Sequence, residues 1–222
     1  FNFKNSMMIE NFKNNFLIAD DHSIVRQGFI YIIKERRKDA QIFEAKSLEE
    51  IKKCLSENII DFLILDLNFP EGTSLSLISE IKENWPLVKI LIFTAHDEDL
   101  YAIRCFNAGA DGYLSKVCYE EEMIEAYTEI VQNGKYVSKK VRDIIFNSYI
   151  SNTSKNPLNS LTNKELEIAL LYIKGQGNLE ICNSLNIKKS TVSTFKSKIF
   201  EKLGVTNIPS LVEIFKLYYK NN

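Results

Sequence analysis

From residue 16 to about residue 133, short apolar and β-branched runs alternate with longer amphipathic stretches. This alternation limits what the chain can fold into more than any other feature. The runs are FLIA (16–19), QIFEA (41–45), DFLILD (61–66), VKILIFT (88–94) and DGYLS (111–115). The spacing predicts strands there and helices between them; in 23–38, for example, Val25, Phe29, Ile32 and Ile33 fall on one helical face. Strands this apolar leave no face for water, which implies a parallel sheet covered on both sides by helices. The expected fold is therefore α/β, a doubly wound five-stranded parallel sheet whose site lies at the carboxyl ends of its strands.

After Gly134 the pattern changes to a helix expected at 138–150 and then to SNTSKNPLNS (151–160), polar and carrying a proline, which reads as a linker. Everything beyond it has helical spacing, and Thr162 with Glu165 three residues later predicts a capping box at the first helix start. The expected organisation is a tail over 1–15, an α/β domain over 16–135, a linker helix and linker over 136–156, and a small all-α domain over 157–222. Charge divides the same way. Residues 157–222 carry nine Lys and five Glu, a balance of +4, while 1–156 carry 19 basic and 24 acidic residues, a balance of −5. A basic part joined to an acidic part suggests that only the second domain meets a polyanion.

With 45% hydrophobic and 26% charged residues the composition is that of a globular protein. No apolar run approaches the roughly 20 residues of a membrane span, so no membrane partner is expected and the cytoplasm is the expected compartment. Cys54, Cys105, Cys118 and Cys182 are scattered without CxxC spacing, as in a reducing compartment. Because the sequence opens on Phe1, Met7 and Met8 are candidates for the native start.

The first strand runs straight into two adjacent aspartates, Asp20 and Asp21. Like charges this close resist joint ionisation unless water or a cation offsets them. If strands one and three are neighbours, Asp66 joins the pair. Three carboxylates on strand-end loops suit a hard, oxygen-preferring divalent ion such as Mg²⁺. Thr94 closes the fourth strand and Lys116 follows the fifth. A metal, a hydroxyl and an ammonium around one carboxylate are the parts that stabilise a phosphoryl group in transfer, with Asp66 as the acceptor. His22 and His96 read as ordinary loop residues, although His96, two beyond Thr94, could tune access to the phosphate.

Taken in order, Asp20 and Asp21, the acceptor in LILDLNFPEG, the hydroxyl in FTAHD and the lysine in GYLSK resemble the receiver domain of bacterial response regulators, with its flavodoxin-like sheet. No single one of these motifs is specific; their five residues in the right order at strand ends are. The resemblance implies that the main-chain carbonyl of Asn68 joins Asp20, Asp21 and Asp66 around Mg²⁺, that Thr94 and Lys116 contact the phosphoryl group, and that Tyr113 is the aromatic that turns inward on activation.

Residues 161–205, with LT, Glu165, Gly175, STV and KLGV, resemble the four-helix DNA-binding domain of the NarL/LuxR family. That implies a helix-turn-helix whose second helix, about 189–203, enters the major groove of double-stranded DNA. Helical spacing puts Val192, Ile199 and Leu203 on a core-facing stripe flanked by Phe195 and Phe200, and Ser190, Ser193, Thr194 and Ser197 on the opposite face. Short hydroxyl side chains permit close approach and bond base edges of either kind. Lys188 and Lys189 at the helix start oppose the macrodipole, which suggests backbone phosphate nearby, and Lys198 is counted with them among the DNA-binding residues. Lys188 stands where the family usually has a Ser or Thr cap.

The expectation is thus a non-enzymatic, phosphorylation-dependent transcriptional regulator. A histidine kinase phosphorylates Asp66, homodimerisation follows, and the C-terminal domain binds DNA. Two alternatives differ in one step each: a constitutively dimeric DNA-binding regulator that ignores phosphate, and a receiver-fold phosphotransfer enzyme.

Overall fold

The computed structural model describes residues 15–143 and 156–218. Two compact units divide the chain at Arg142 and Asp143.

In the first unit, strands β1 (Asn15–Ala19), β2 (Gln41–Ala45), β3 (Phe62–Leu65), β4 (Lys89–Thr94) and β5 (Gly112–Ser115) form one sheet in the order β2-β1-β3-β4-β5. All four pairings are parallel. Helices α1 (Ser23–Arg36), α2 (Leu48–Glu57), α3 (Leu75–Asn84), α4 (Glu98–Ala108) and α5 (Glu120–Asn133) alternate with the strands. Every residue of β3 is buried, as are all but the first of β1 and β4, which is why these strands read as unbroken apolar runs. Three of the five expected strands are one or two residues shorter than their apolar runs, since Asp61, Asp66, Val88 and Asp111 lie just outside the ladder, and α1 stops at Arg36 rather than residue 38.

Helix ends follow local chemistry. Ser47 caps α2 by accepting from the Glu50 N–H, and Asp97 caps α4 by accepting from the Asp99 N–H. Gly109 closes α4 at φ 109°, a left-handed conformation that a side chain would strain. One feature absent from the expected fold is a small antiparallel ribbon, Asn68–Phe69 against Gly72–Thr73, directly after β3.

Of the helix expected at 138–150, residues 139–143 are helical and the rest lie outside the described residues, as do 151–155 of the expected linker and the expected tail up to residue 14. The packing of the first unit continues past 135: Tyr136 and Val141 are buried, and the Tyr136 N–H donates to the Asp111 carbonyl at 2.8 Å. Among the described residues, no helix is long and apolar enough to cross a membrane.

The second unit begins with a 3-10 turn at Pro157–Ser160, followed by α6 (Asn163–Ile173), α7 (Asn178–Leu185), α8 (Lys189–Leu203) and α9 (Ile208–Tyr218). Its core contains Leu158, Leu166, Ile168, Tyr172, Ile181, Val192, Ile199, Leu211 and Phe215. The capping box is present at α6: the Glu165 N–H donates to the Thr162 hydroxyl and the Thr162 N–H to the Glu165 carboxylate. The turn between α7 and α8 starts at Asn186, whose φ of 50° is the left-handed value a short Asn tolerates.

Candidate phosphoryl-transfer site and nucleic-acid interface

The sheet register builds the acidic site. The Asp66 N–H donates to the Ala19 carbonyl at 2.9 Å, continuing the β1–β3 ladder and bringing Asp66 beside Asp20. The Lys116 N–H donates to the Thr94 carbonyl at 2.8 Å, which brings the lysine beside the end of β4. Asp20, Asp66 and Thr94 are all buried. Two buried carboxylates side by side need a counter-charge, and Lys116 Nζ lies 2.7 Å from Asp20 Oδ2 and 2.7 Å from Asp66 Oδ2. Burial is the largest single influence on Lys116 and works against its charge. Hydrogen bonds and charge from Asp20 and Asp66 together outweigh it and hold the ammonium's pKa above its ordinary value.

Asp66 is held at its main chain as well as at its carboxylate. Its Oδ1 accepts from the Leu67 N–H at 2.7 Å, and its main-chain carbonyl accepts from the buried Ser74 hydroxyl at 2.6 Å. Arg26 donates to the Asp20 carbonyl at 2.8 Å. Oxygens of Asp20, Asp21 and Asp66 and a ring nitrogen of His22 all lie within 4.8 Å of one another. Three carboxylates converging in this way fit Mg²⁺, whose preference is for hard oxygen donors. His22 was read as an ordinary loop residue, and the structure corrects that: its Nδ1 is 2.6 Å from Asp21 Oδ1 and 3.2 Å from Asp20 Oδ1. The visible signal was its place next to the acid pair at the start of α1. Ser74 carried no signal, because only the ribbon returns it to Asp66.

Around the rim, Thr94 Oγ1 accepts a long 3.4 Å bond from the His96 N–H. Asn68 opens the ribbon, and its Oδ1 is 2.8 Å from His96 Nε2, while the His96 ring packs against Tyr101 with centroids 4.3 Å apart. Tyr113 lies wholly inside, its hydroxyl donating to the His96 carbonyl at 2.8 Å. Burial raises its phenol far above the ordinary value, so it stays a protonated donor.

Because the Lys116 ammonium competes with a divalent cation for the same carboxylates, Lys116→Met should bind Mg²⁺ about tenfold more tightly, corresponding to about 1.4 kcal/mol. Calorimetric titration checks this; equal or weaker binding would remove the competition argument.

In the second unit, α8 occupies the span expected of a recognition helix. Val192, Ile199 and Leu203 are buried, Phe195 and Phe200 half-buried. Lys188, Lys189, Ser190, Ser193, Thr194, Ser197 and Lys198 are all exposed. The Thr194 and Ser197 hydroxyls donate back to the Ser190 and Ser193 carbonyls at 2.9 and 3.2 Å, which leaves their oxygen lone pairs outward as acceptors. Lys188 is the N-cap residue and gives α8 no side-chain cap. The free N–H groups of the first turn therefore sit beside two exposed cations, a combination that favours phosphate.

Two family models match the chain: "Response regulator receiver domain" over residues 16–128 and "Bacterial regulatory proteins, luxR family" over 159–215. The oxygen regulatory protein NreC of Staphylococcus carnosus is 34% identical over 206 residues, covering 89% of this chain and 94% of that protein. NreC of Staphylococcus epidermidis is 35% identical with the same coverage. Among solved structures, RcsB from Salmonella enterica serovar Typhimurium bound to promoter P1flhDC in the presence of phosphomimetic BeF3- is 26% identical, with a TM-score of 0.67 over 92% of this chain and 99% of that one. With Asp20, Asp21, Asp66, Thr94 and Lys116 gathered at the carboxyl ends of the strands and the luxR-family match over 159–215, the chain belongs to the two-component response regulators of the NarL/LuxR family.

Proposed function

We propose that this protein is a cytoplasmic, phosphorylation-dependent transcriptional regulator that takes a phosphoryl group onto Asp66 from a phosphohistidine of a histidine kinase. The observation that carries this is the Lys116 ammonium, 2.7 Å from both Asp20 and Asp66, which draws acid pair, acceptor and lysine into one constellation. In the transfer, Asp66 Oδ attacks phosphorus, the P–N bond to the imidazole breaks, and an acyl phosphate forms. Mg²⁺, held by Asp20, Asp21, Asp66 and the Asn68 carbonyl, would supply charge neutralisation at the phosphoryl oxygens. Lys116 and Thr94 then bind those oxygens, and Tyr113 holds the β4–α4 loop through His96. Turnover is confined to the protein's own phosphoryl group, so the chain is a regulator rather than an enzyme acting on a separate substrate.

Phosphorylation acts through a difference in affinity between two states. The phosphorylated form is the homodimer, and α8 of each copy enters the major groove of double-stranded DNA, with Lys188, Lys189 and Lys198 toward phosphate and Ser190, Ser193, Thr194 and Ser197 toward base edges. Incubation with acetyl phosphate and Mg²⁺, followed by intact-mass analysis and sedimentation, should show one added phosphoryl group and a rise in dimer content. Absence of the added mass would contradict the reading.

The interface makes a separate prediction. Lys188→Ala/Lys189→Ala should weaken specific and random DNA alike and flatten the salt slope by about two units, because each phosphate contact releases counterions. Thr194→Ala or Ser197→Ala should shift sequence preference and leave the slope almost unchanged. Affinity across a salt series separates these; an unchanged slope in the double variant returns both lysines to solvent.

A further inference from the structure

A hydrogen-bonded latch ties the loop beside the phosphoryl site to the start of the segment that leads toward the DNA-binding unit. The inference deepens the phosphorylation reading and rests on it.

Two contacts on the first unit meet at the N-terminus of α4. Ser138 Oγ donates to Glu98 Oε1 at 2.5 Å, and Lys140 Nζ lies 3.5 Å from Asp99 Oδ1. Ser138 also accepts from the Val141 N–H at 3.2 Å, so the same hydroxyl caps the helix described over 139–143. Tyr136 and Val141, on either side of Ser138, are buried. Glu98 and Asp99 follow the N-cap Asp97, which follows His96, whose carbonyl accepts from Tyr113 and whose N–H reaches Thr94. Thr94 and His96 are therefore two to five positions from Glu98 and Asp99, which hold the connecting helix.

Glu98 is half-buried, and burial raises its carboxyl pKa more than Ser138 and Lys140 lower it. A carboxylate so placed is costly to leave without its donor. The bond is thus a contact with two distinct states, made or lost, on an element that a phosphoryl group at Asp66 would displace through Thr94 and His96.

We propose that the Ser138–Glu98 bond is a coupling contact: it passes the phosphoryl state of Asp66 from the β4–α4 loop to the helix beginning at residue 139 and so to the DNA-binding unit. Ser138 acts as a positioning residue and touches no reacting atom.

The test needs variants that keep the helix cap. Asp is a strong cap yet donates nothing to Glu98 and repels it, whereas Asn caps and can also donate. In the full chain, Ser138→Asp and Ser138→Asn are labelled with acetyl phosphate, and affinity is measured on a duplex selected from a random pool. Both variants should gain the same phosphoryl mass as wild type. The rise in DNA affinity on phosphorylation should fall about fivefold or more in Ser138→Asp and persist in Ser138→Asn, the scale of an ordinary allosteric coupling. An undiminished rise in Ser138→Asp overturns the latch and leaves the phosphorylation reading standing. A wild-type protein whose DNA affinity ignores its phosphoryl group overturns both.

Discussion

Asp66→Asn is expected to abolish phosphoryl uptake from acetyl phosphate while the fold remains intact. The Asn amide has nearly the shape of the carboxylate and can still accept from the Leu67 N–H, but its oxygen is too weak a nucleophile to form the acyl phosphate. Stability argues the same way. Asp66 is one of two buried carboxylates sharing a single ammonium, so neutralising it relieves repulsion and leaves Lys116 paired with Asp20. Intact mass after labelling and the thermal midpoint of the receiver unit check the two halves. A variant that labels as wild type does would move the acceptor elsewhere, and one that has lost its fold would deny that the carboxylates repel.

A second large effect concerns Glu165. Its carboxylate is buried at the first turn of α6, accepting from the Thr162 N–H at 2.7 Å and lying 2.6 Å from Lys202 Nζ. Lys202 in turn donates to the Ser160 carbonyl at 3.2 Å, so one pair joins the 3-10 turn, α6 and the end of α8. Burial alone would raise the Glu165 pKa, but the Lys202 bond, the Thr162 bonds and the Lys202 charge prevail and hold it below the ordinary value near 4.5. Glu165→Ala removes half of the capping box and the buried partner of Lys202 together, at a cost of about 2 kcal/mol. For a unit of this size that lowers the midpoint of its thermal transition by roughly 10 °C. A group whose pKa is depressed on folding contributes stability above its unfolded value and loses it as pH falls through the folded one. The gap between wild type and variant should therefore be full near neutrality and shrink below about pH 4.5. Thermal scans of the full chain at both pH values decide this; equal midpoints, or a gap that ignores pH, would contradict it.

The sheet and its site were legible because burial on both faces leaves an unmistakable residue pattern and because strand ends fix where carboxylates can meet. Asp20, Asp66 and Lys116 converge as their places after β1, β3 and β5 imply. The start of α6 was legible for a local reason, since Thr162 and Glu165 are three residues apart. The ribbon after β3 was not, because two-residue strands show no period. With it went Ser74, whose bond to the Asp66 carbonyl exists only because that ribbon folds back. His22 was misread although its place next to the acid pair was visible, because the sequence does not say which way the ring turns. Ser138 and Glu98 meet across 40 positions of sequence, a separation at which neither residue's type announces the other.

The claim that binds these parts is that the chemistry at Asp66 governs the behaviour of α8. Affinity for a duplex selected from a random pool, measured for wild type and Asp66→Asn with and without acetyl phosphate and Mg²⁺, tests it most directly. Wild type should bind at least about fivefold more tightly after treatment, and Asp66→Asn should stay at the untreated value. Equal affinity in all four samples would contradict it.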